Sequence, residues 1–315
     1  RNASVKAALR GGADGLNCLL NASSWALLNA SASMPRDDSF FTDAWAPVLP
    51  SLGERIASDA VAPNVDILLG SNLDEGTEFM YLTPGRLTCS SSTDDFFKWA
   101  TRFYGNEIAP VIVSTYSDPE TPWPKCVDAK GPHLSALSAA VADDPRLSSS
   151  LAEPVVESPF SFVQNGLVKT AAMRSAGDYS ITCPTLHAAQ SLASQGNHSV
   201  YSYFFTHTPT WSANMKDTPT MGAFHGAEVP FAFGDAFELN TTAEKRLAAS
   251  MGCYWRSFVH TGNPNAIVHG ENACAARGPK WAPLRPSAQA EAQPYLRMDT
   301  AHITASHGLK QKECT

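Results

Sequence analysis

Two short stretches place proton-transfer groups in a context where chemistry is plausible. "MGAFHGAEVPFAFGD", residues 221–235, sets His225 between small and aromatic residues, with Gly226 directly after it and Glu228 three positions on. "LLGSNLDEGTEFM", residues 68–80, ends an aliphatic run in the adjacent acids Asp74 and Glu75. An imidazole, with a reference pKa of about 6.5, takes the proton of a hydroxyl nucleophile near neutral pH and later returns it to the leaving group. A buried carboxylate on the other ring nitrogen fixes the tautomer and stabilises the imidazolium. The two residue types are therefore what nucleophilic hydrolysis needs besides the nucleophile itself. Taken singly, each also has a structural reading. An Asp-Glu-Gly triplet is ordinary turn chemistry, and histidines are commonly half-buried packing residues.

The elements that must position these residues read as alternating strands and helices. Residues 64–71, "NVDILLGS", and 198–206, "HSVYSYFFT", are short aliphatic and aromatic runs expected as strands buried on both faces. Residues 93–105 and 183–196 read as amphipathic helices closed by glycine, the second with Pro184 in its first turn. The clearest helix lies within residues 241–265. Thr241 and Glu244 have capping-box spacing, Leu247, Met251, Tyr254, Trp255 and Phe258 share a face, and Gly262 before Asn-Pro stops it. Residues 117–160, rich in Pro, Ser and Asp, read as a surface insertion within one domain of residues 1–315. The alternation predicts an α/β fold with a mostly parallel sheet flanked by helices. In such sheets reactive groups sit in loops beyond the carboxyl ends of the strands, where the acid and histidine segments both fall.

Bulk properties exclude several classes. A chain of 315 residues with 43% apolar composition can bury a large core. A net charge of −7 and a pI near 5.7, without a Lys/Arg cluster, argue against nucleic acid as a partner. No apolar run is long enough to span a bilayer. Asn2, Asn21, Asn29, Asn197 and Asn240 fit the Asn-X-Ser/Thr glycosylation pattern. The seven cysteines lack the close pairs of a zinc site and suit disulfides in an oxidising compartment. Together these predict a secreted or secretory-lumen glycoprotein. His133, His187, His198, His207, His260, His269, His302 and His307 show no paired metal spacing and read as surface or packing residues. No metal and no cofactor are expected.

At the acid and histidine segments the sequence resembles the type B carboxylesterase and cholinesterase family of the α/β-hydrolase fold. "YSITCPTLHAA" (179–189), "YWRSFVHTGNPN" (254–265), "KWAPLRP" and "PYLRMD" extend the likeness in family order. The resemblance implies Glu75 as the acid and His225 as the base of a Ser-Glu-His triad. It puts Phe41 and Trp45 in the acyl pocket and Glu78 and Phe79 just after the acid, among substrate-facing positions. Glu78 departs from the aromatic habit of cholinesterases. Glu228 is expected to orient a loop or cap a helix. For the sulfurs the resemblance implies Cys183 with Cys314, and leaves Cys253 with Cys274 and Cys89 with Cys126 as the natural remaining pairs.

The nucleophile elbow G-x-S-x-G occurs nowhere in the 315 residues, and the double glycine of "LRGGADG" (9–15) lacks the histidine of the family's oxyanion loop. In this fold the chain order is Ser, then acid, then His, so the sequence reads as a C-terminal half. The expectation is a separate N-terminal chain of the same precursor that supplies the serine and completes the sheet. Cys18 would tie the two chains, and activity would require both. Two function classes follow: a secreted serine hydrolase of carboxylic esters or lipids, or a non-catalytic adhesion or scaffold module of the same fold. Presence of both Glu75 and His225 favours the enzyme.

Overall fold

A computed structural model describes residues 23, 65–77, 87–116, 167–196, 199–210, 221–234, 239–266, 278–286 and 288–314. The chain divides into two compact units, Arg1–Leu49 and Pro50–Thr315, and every described residue except Ser23 lies in the second.

In chain order the elements are β1 (Ile67–Asn72), α1 (Thr93–Tyr104), α2 (Ala109–Tyr116), α3 (Leu167–Gly177), a π turn (Asp178–Thr182), α4 (Cys183–Ser194), β2 (Val200–Phe205), α5 (Val229–Phe233), α6 (Thr242–Thr261), β3 (Pro294–Met298) and β4 (Thr304–His307). The strands form one sheet in the order β1-β2-β3-β4. β1 pairs parallel with β2 and β2 with β3, while β3 and β4 are antiparallel. The mostly parallel sheet between helices is the α/β arrangement that the alternation predicts.

β2 explains the sheet's two-sided core. Successive side chains of a strand point to opposite faces. Tyr201, Tyr203 and Phe205 accordingly enter the cluster that includes Leu247, Met251 and Tyr254 of α6. Val200 joins the smaller cluster with Ala189 and Leu192 of α4. β1 differs from expectation: it is the outermost strand of the described sheet, and Ile67–Gly70 are half-buried instead of buried on both faces.

α6 begins with its capping box. Glu244 N donates to Thr241 Oγ1 and Thr241 N donates to Glu244 Oε2, both at 3.1 Å. It ends at Gly262, whose φ of 72° is the left-handed conformation of a helix C-cap. Just beyond, the Asn265 side chain brackets Trp281: Trp281 N donates to Asn265 Oδ1 at 2.7 Å and Asn265 Nδ2 donates to Trp281 O at 2.8 Å. Trp281 is thereby held on the sheet, its Nε1 donating to Ser202 O at 2.9 Å.

Helices α2 and α3 and the β3–β4 hairpin are not foreseen in the sequence. Every residue of α3 from Val168 to Gly177 is buried, including Lys169 and Arg174, so it shows no amphipathic stripe. α3, α1 and α2 form a separate cluster around Phe96, Val113 and Val168. The Cys183–Cys314 disulfide ties the start of α4 to the C-terminal turn, closing a loop of 131 positions. Loop closure on that scale stabilises by about 5 kcal/mol in the chain-entropy picture. Cys89 and Cys253 are also disulfide-bonded. Their expected partners Cys126 and Cys274, with Cys18 and the 117–160 insertion, lie outside the described residues.

Candidate active site

β1 ends at Asn72 and the chain turns at once. Leu73 N donates to Phe205 O at 2.9 Å and Asp74 N to Ala223 O at 3.0 Å, so the turn is fastened both to the end of β2 and to the histidine segment. The two adjacent acids then take opposite partners. Asp74 Oδ1 accepts from Arg174 Nε of α3 at 2.7 Å, and its Oδ2 accepts from Ala223 N at 3.0 Å. Glu75 Oε1 accepts from Asn72 N at 2.7 Å, and its Oε2 lies 2.7 Å from His225 Nδ1.

Glycines make this packing possible. A Cβ at Gly76 would fall 2.0 Å from Met173 O, and one at Gly177 would fall 2.4 Å from Gly76 N. The acid turn and the end of α3 therefore meet backbone to backbone. At Gly222, where φ is +70°, a Cβ would sit 2.1 Å from Asp74 Oδ2, so the base segment can approach Asp74 only as glycine.

The base segment is anchored on both sides of its histidine. Met221, Ala223, Phe224 and Ala227 are buried in the core below α6. Ala227 N closes a turn on Phe224 O at 3.0 Å, and Gly226 takes a φ of +80°. His225 stands at the top of that turn with its side chain 50% exposed, against 6% for Glu75. Burial pushes the Glu75 carboxyl above its ordinary pKa, while the His225 hydrogen bond and the Asn72 N–H pull it back. Nδ1 is the ring nitrogen that faces Glu75, and a proton held there by the carboxylate is the tautomer in which Nε2 can serve as a general base. The charge that Nε2 gains on taking a proton is balanced across the ring by the buried carboxylate.

Among positions singled out in the sequence, the structure brings together Glu75 and His225. Glu228 precedes α5 without a side-chain cap. Its Oε2 accepts instead from Asn72 Nδ2 at 2.5 Å and its Oε1 lies 3.5 Å from Tyr203 OH. Phe41, Trp45, Glu78 and Phe79 lie outside the described residues, as do Asn2, Asn21, Asn29 and Asn197. Asn240 is exposed. Sequence reasoning missed Asn72 and Arg174, which sit one residue before the turn and 100 positions from Asp74 respectively. The glycines Gly76, Gly177 and Gly222 were the available signal, since each marks a close backbone approach.

A model of the carboxylesterase family matches residues 4–315. The chain belongs to the carboxylesterase family. Its fold is therefore the α/β-hydrolase fold, in agreement with the mostly parallel sheet. The chain is also similar to the acetylcholinesterase of Bungarus fasciatus, with 31% identity over 141 residues, 44% of this chain and 21% of that protein. The aligned part thus spans about a fifth of that relative's length. Membership of a carboxylesterase family points to ester-hydrolase-like chemistry. Among the described residues no helix is long and apolar enough to cross a membrane.

Proposed function

We propose that this chain carries the acid and the base of a secreted serine ester hydrolase acting on carboxylic esters or lipids. The observation that carries the reading is the 2.7 Å contact between Glu75 Oε2 and His225 Nδ1, with the acid buried and the base half-exposed. A buried acid hydrogen-bonded to one nitrogen of a half-exposed imidazole supplies two of the three parts of a hydrolytic triad. The serine, for which no G-x-S-x-G exists in these residues, comes from an N-terminal segment of the same precursor.

In the reaction, His225 Nε2 takes the serine proton as the hydroxyl attacks the ester carbonyl. It then gives that proton to the departing alcohol, leaving an acyl-serine. Water, deprotonated by the same nitrogen, attacks the acyl carbon, and the serine leaves with its proton restored. Glu75 holds the imidazolium through both halves. Secretion is supported by the disulfides at Cys183–Cys314, Cys89 and Cys253 and by the exposed sequon at Asn240.

The test is co-production of this chain with the N-terminal segment of its precursor, followed by exposure to a fluorophosphonate probe and an aryl ester. Stoichiometric labelling of a serine on the N-terminal segment and ester turnover are expected. Absence of both from the folded assembly would overturn the reading in favour of a binding module.

A further inference from the structure

We infer that Asn72 is the positioning residue that holds the acid and the base in register. This rests on the reading of Glu75 and His225 as acid and base. Asn72 closes β1 and is 1% exposed. Its backbone N–H donates to Glu75 Oε1 at 2.7 Å, which fixes the oxygen opposite the one that meets His225. Its side-chain amide reaches 152 positions along the chain and donates to Phe224 O at 2.8 Å, the carbonyl immediately before His225. The same nitrogen donates to Glu228 Oε2 at 2.5 Å, three residues after the base. One residue at the end of a strand is thus bonded to the acid and to both flanks of the base turn.

The polarity of the amide is what makes this work. A primary amide nitrogen has two N–H bonds, and here both meet acceptors, a carbonyl and a carboxylate. The isosteric Asp would offer only lone pairs to the same two groups. It would also place a third carboxylate beside Glu75 and Glu228, two like charges that already oppose each other. The titratable groups around Asn72 are Glu75, His225, Glu228 and Tyr203, with the Asp74–Arg174 pair behind the turn. Among the described residues no hydrogen bond reaches the buried Asn72 Oδ1, so the amide acts on this site through its donors.

The experiment uses the assembled enzyme, this chain with the serine-bearing N-terminal segment, and counts competent sites by fluorophosphonate titration so that kcat refers to folded protein. Asn72→Ala should lower kcat by about 10²-fold with KM nearly unchanged, the loss associated with a misplacement on the order of 1 Å. Asn72→Asp should lower it at least as far. It should also move the acid limb of the kcat/KM profile to higher pH, because the added negative charge favours the imidazolium. The reciprocal variant Asn72→Asp/Glu228→Gln exchanges donor and acceptor and should recover at least tenfold of the Asn72→Asp loss. Unchanged kcat per site and an unchanged pH profile in Asn72→Asp, or no recovery in the reciprocal variant, would overturn the assignment. A wild-type assembly that the probe does not label would overturn the triad reading and this inference with it.

Discussion

Asp74 and Glu75 are neighbours in sequence, yet their carboxylates point to opposite partners, Asp74 to Arg174 and Glu75 to His225, each at 2.7 Å. Burial forces the division. Both acids are nearly inaccessible, and a buried charge must be paired or hydrogen-bonded. The guanidinium that α3 brings to the turn takes Asp74, which leaves Glu75 to the imidazole.

Removing Asp74 should therefore damage the fold before it damages the chemistry. Asp74→Ala leaves the Arg174 guanidinium buried without the carboxylate that now pairs with it, a cost of about 3–5 kcal/mol. The expected outcome in urea denaturation is a large drop in midpoint. The double variant Asp74→Ala/Arg174→Met should recover much of it, since removing both charges spares the desolvation penalty. A drop of the same size in the double variant would show that the pair's charge is not the cause.

The acid and the base should separate stability from function in the opposite sense. His225→Ala should abolish ester turnover in the assembled enzyme, and Glu75→Gln should lower kcat by roughly 10⁴-fold through loss of tautomer control. Burial raises the Glu75 pKa in the folded state, so the folded chain holds the proton more tightly than the unfolded chain does. The stabilising contribution of this group is full below its unfolded value of 4.5 and is lost as pH rises through the raised folded value. Above that raised value the ionised carboxylate opposes folding. Glu75→Gln should then match or exceed the wild type in thermal midpoint while being nearly inactive.

Gly177→Ala tests the backbone contact beneath the acid. Its Cβ would lie 2.4 Å from Gly76 N and 2.9 Å from Glu75 Cβ, so the acid turn must move. A stability loss of about 1–3 kcal/mol is expected for such overpacking, with a kcat loss of about 10²-fold from displacement of Glu75. Gly252→Ala in α6 is the control. The nearest atom to its Cβ is 4.0 Å away, and the change should stabilise by about 0.5–1 kcal/mol without touching turnover.

Glu244 should dominate the acid sensitivity of the α6 end. Burial alone would raise its pKa, but hydrogen bonds from Thr210 N and Oγ1, His207 Nε2 and Thr241 N outweigh that and pull it down to about 2. A depressed folded pKa stabilises above the unfolded value of 4.5 and is lost as pH falls towards about 2. Glu244→Gln should cost roughly 1.5–3 kcal/mol at neutral pH, the worth of a hydrogen bond to a charged group. In acid titration its stability curve should converge on that of the wild type between those two pH values. Parallel curves would rule out Glu244 as the titrating group.

Much of the local structure was legible without coordinates, because its causes act within about four residues. The capping box of Thr241 and Glu244, the stop at Gly262, the apolar face of α6 and the aromatic strand at β2 follow from side-chain spacing and backbone sterics. The α/β class followed from their alternation, and the acid and histidine segments stood out by residue type. Three outcomes were left to the tertiary fold. They are the physical cause that pairs Glu75, which only the family resemblance had singled out, with His225 and sends Asp74 to Arg174, the full burial of α3 with Lys169 and Arg174, and the tie from Asn72 to both flanks of the base. Each joins positions 100 or more residues apart, or depends on which polar groups share a water-free space. Neighbouring acids are chemically near-equivalent in a sequence. Only desolvation, acting on the packed arrangement of α3, the acid turn and the base turn, makes their partners different.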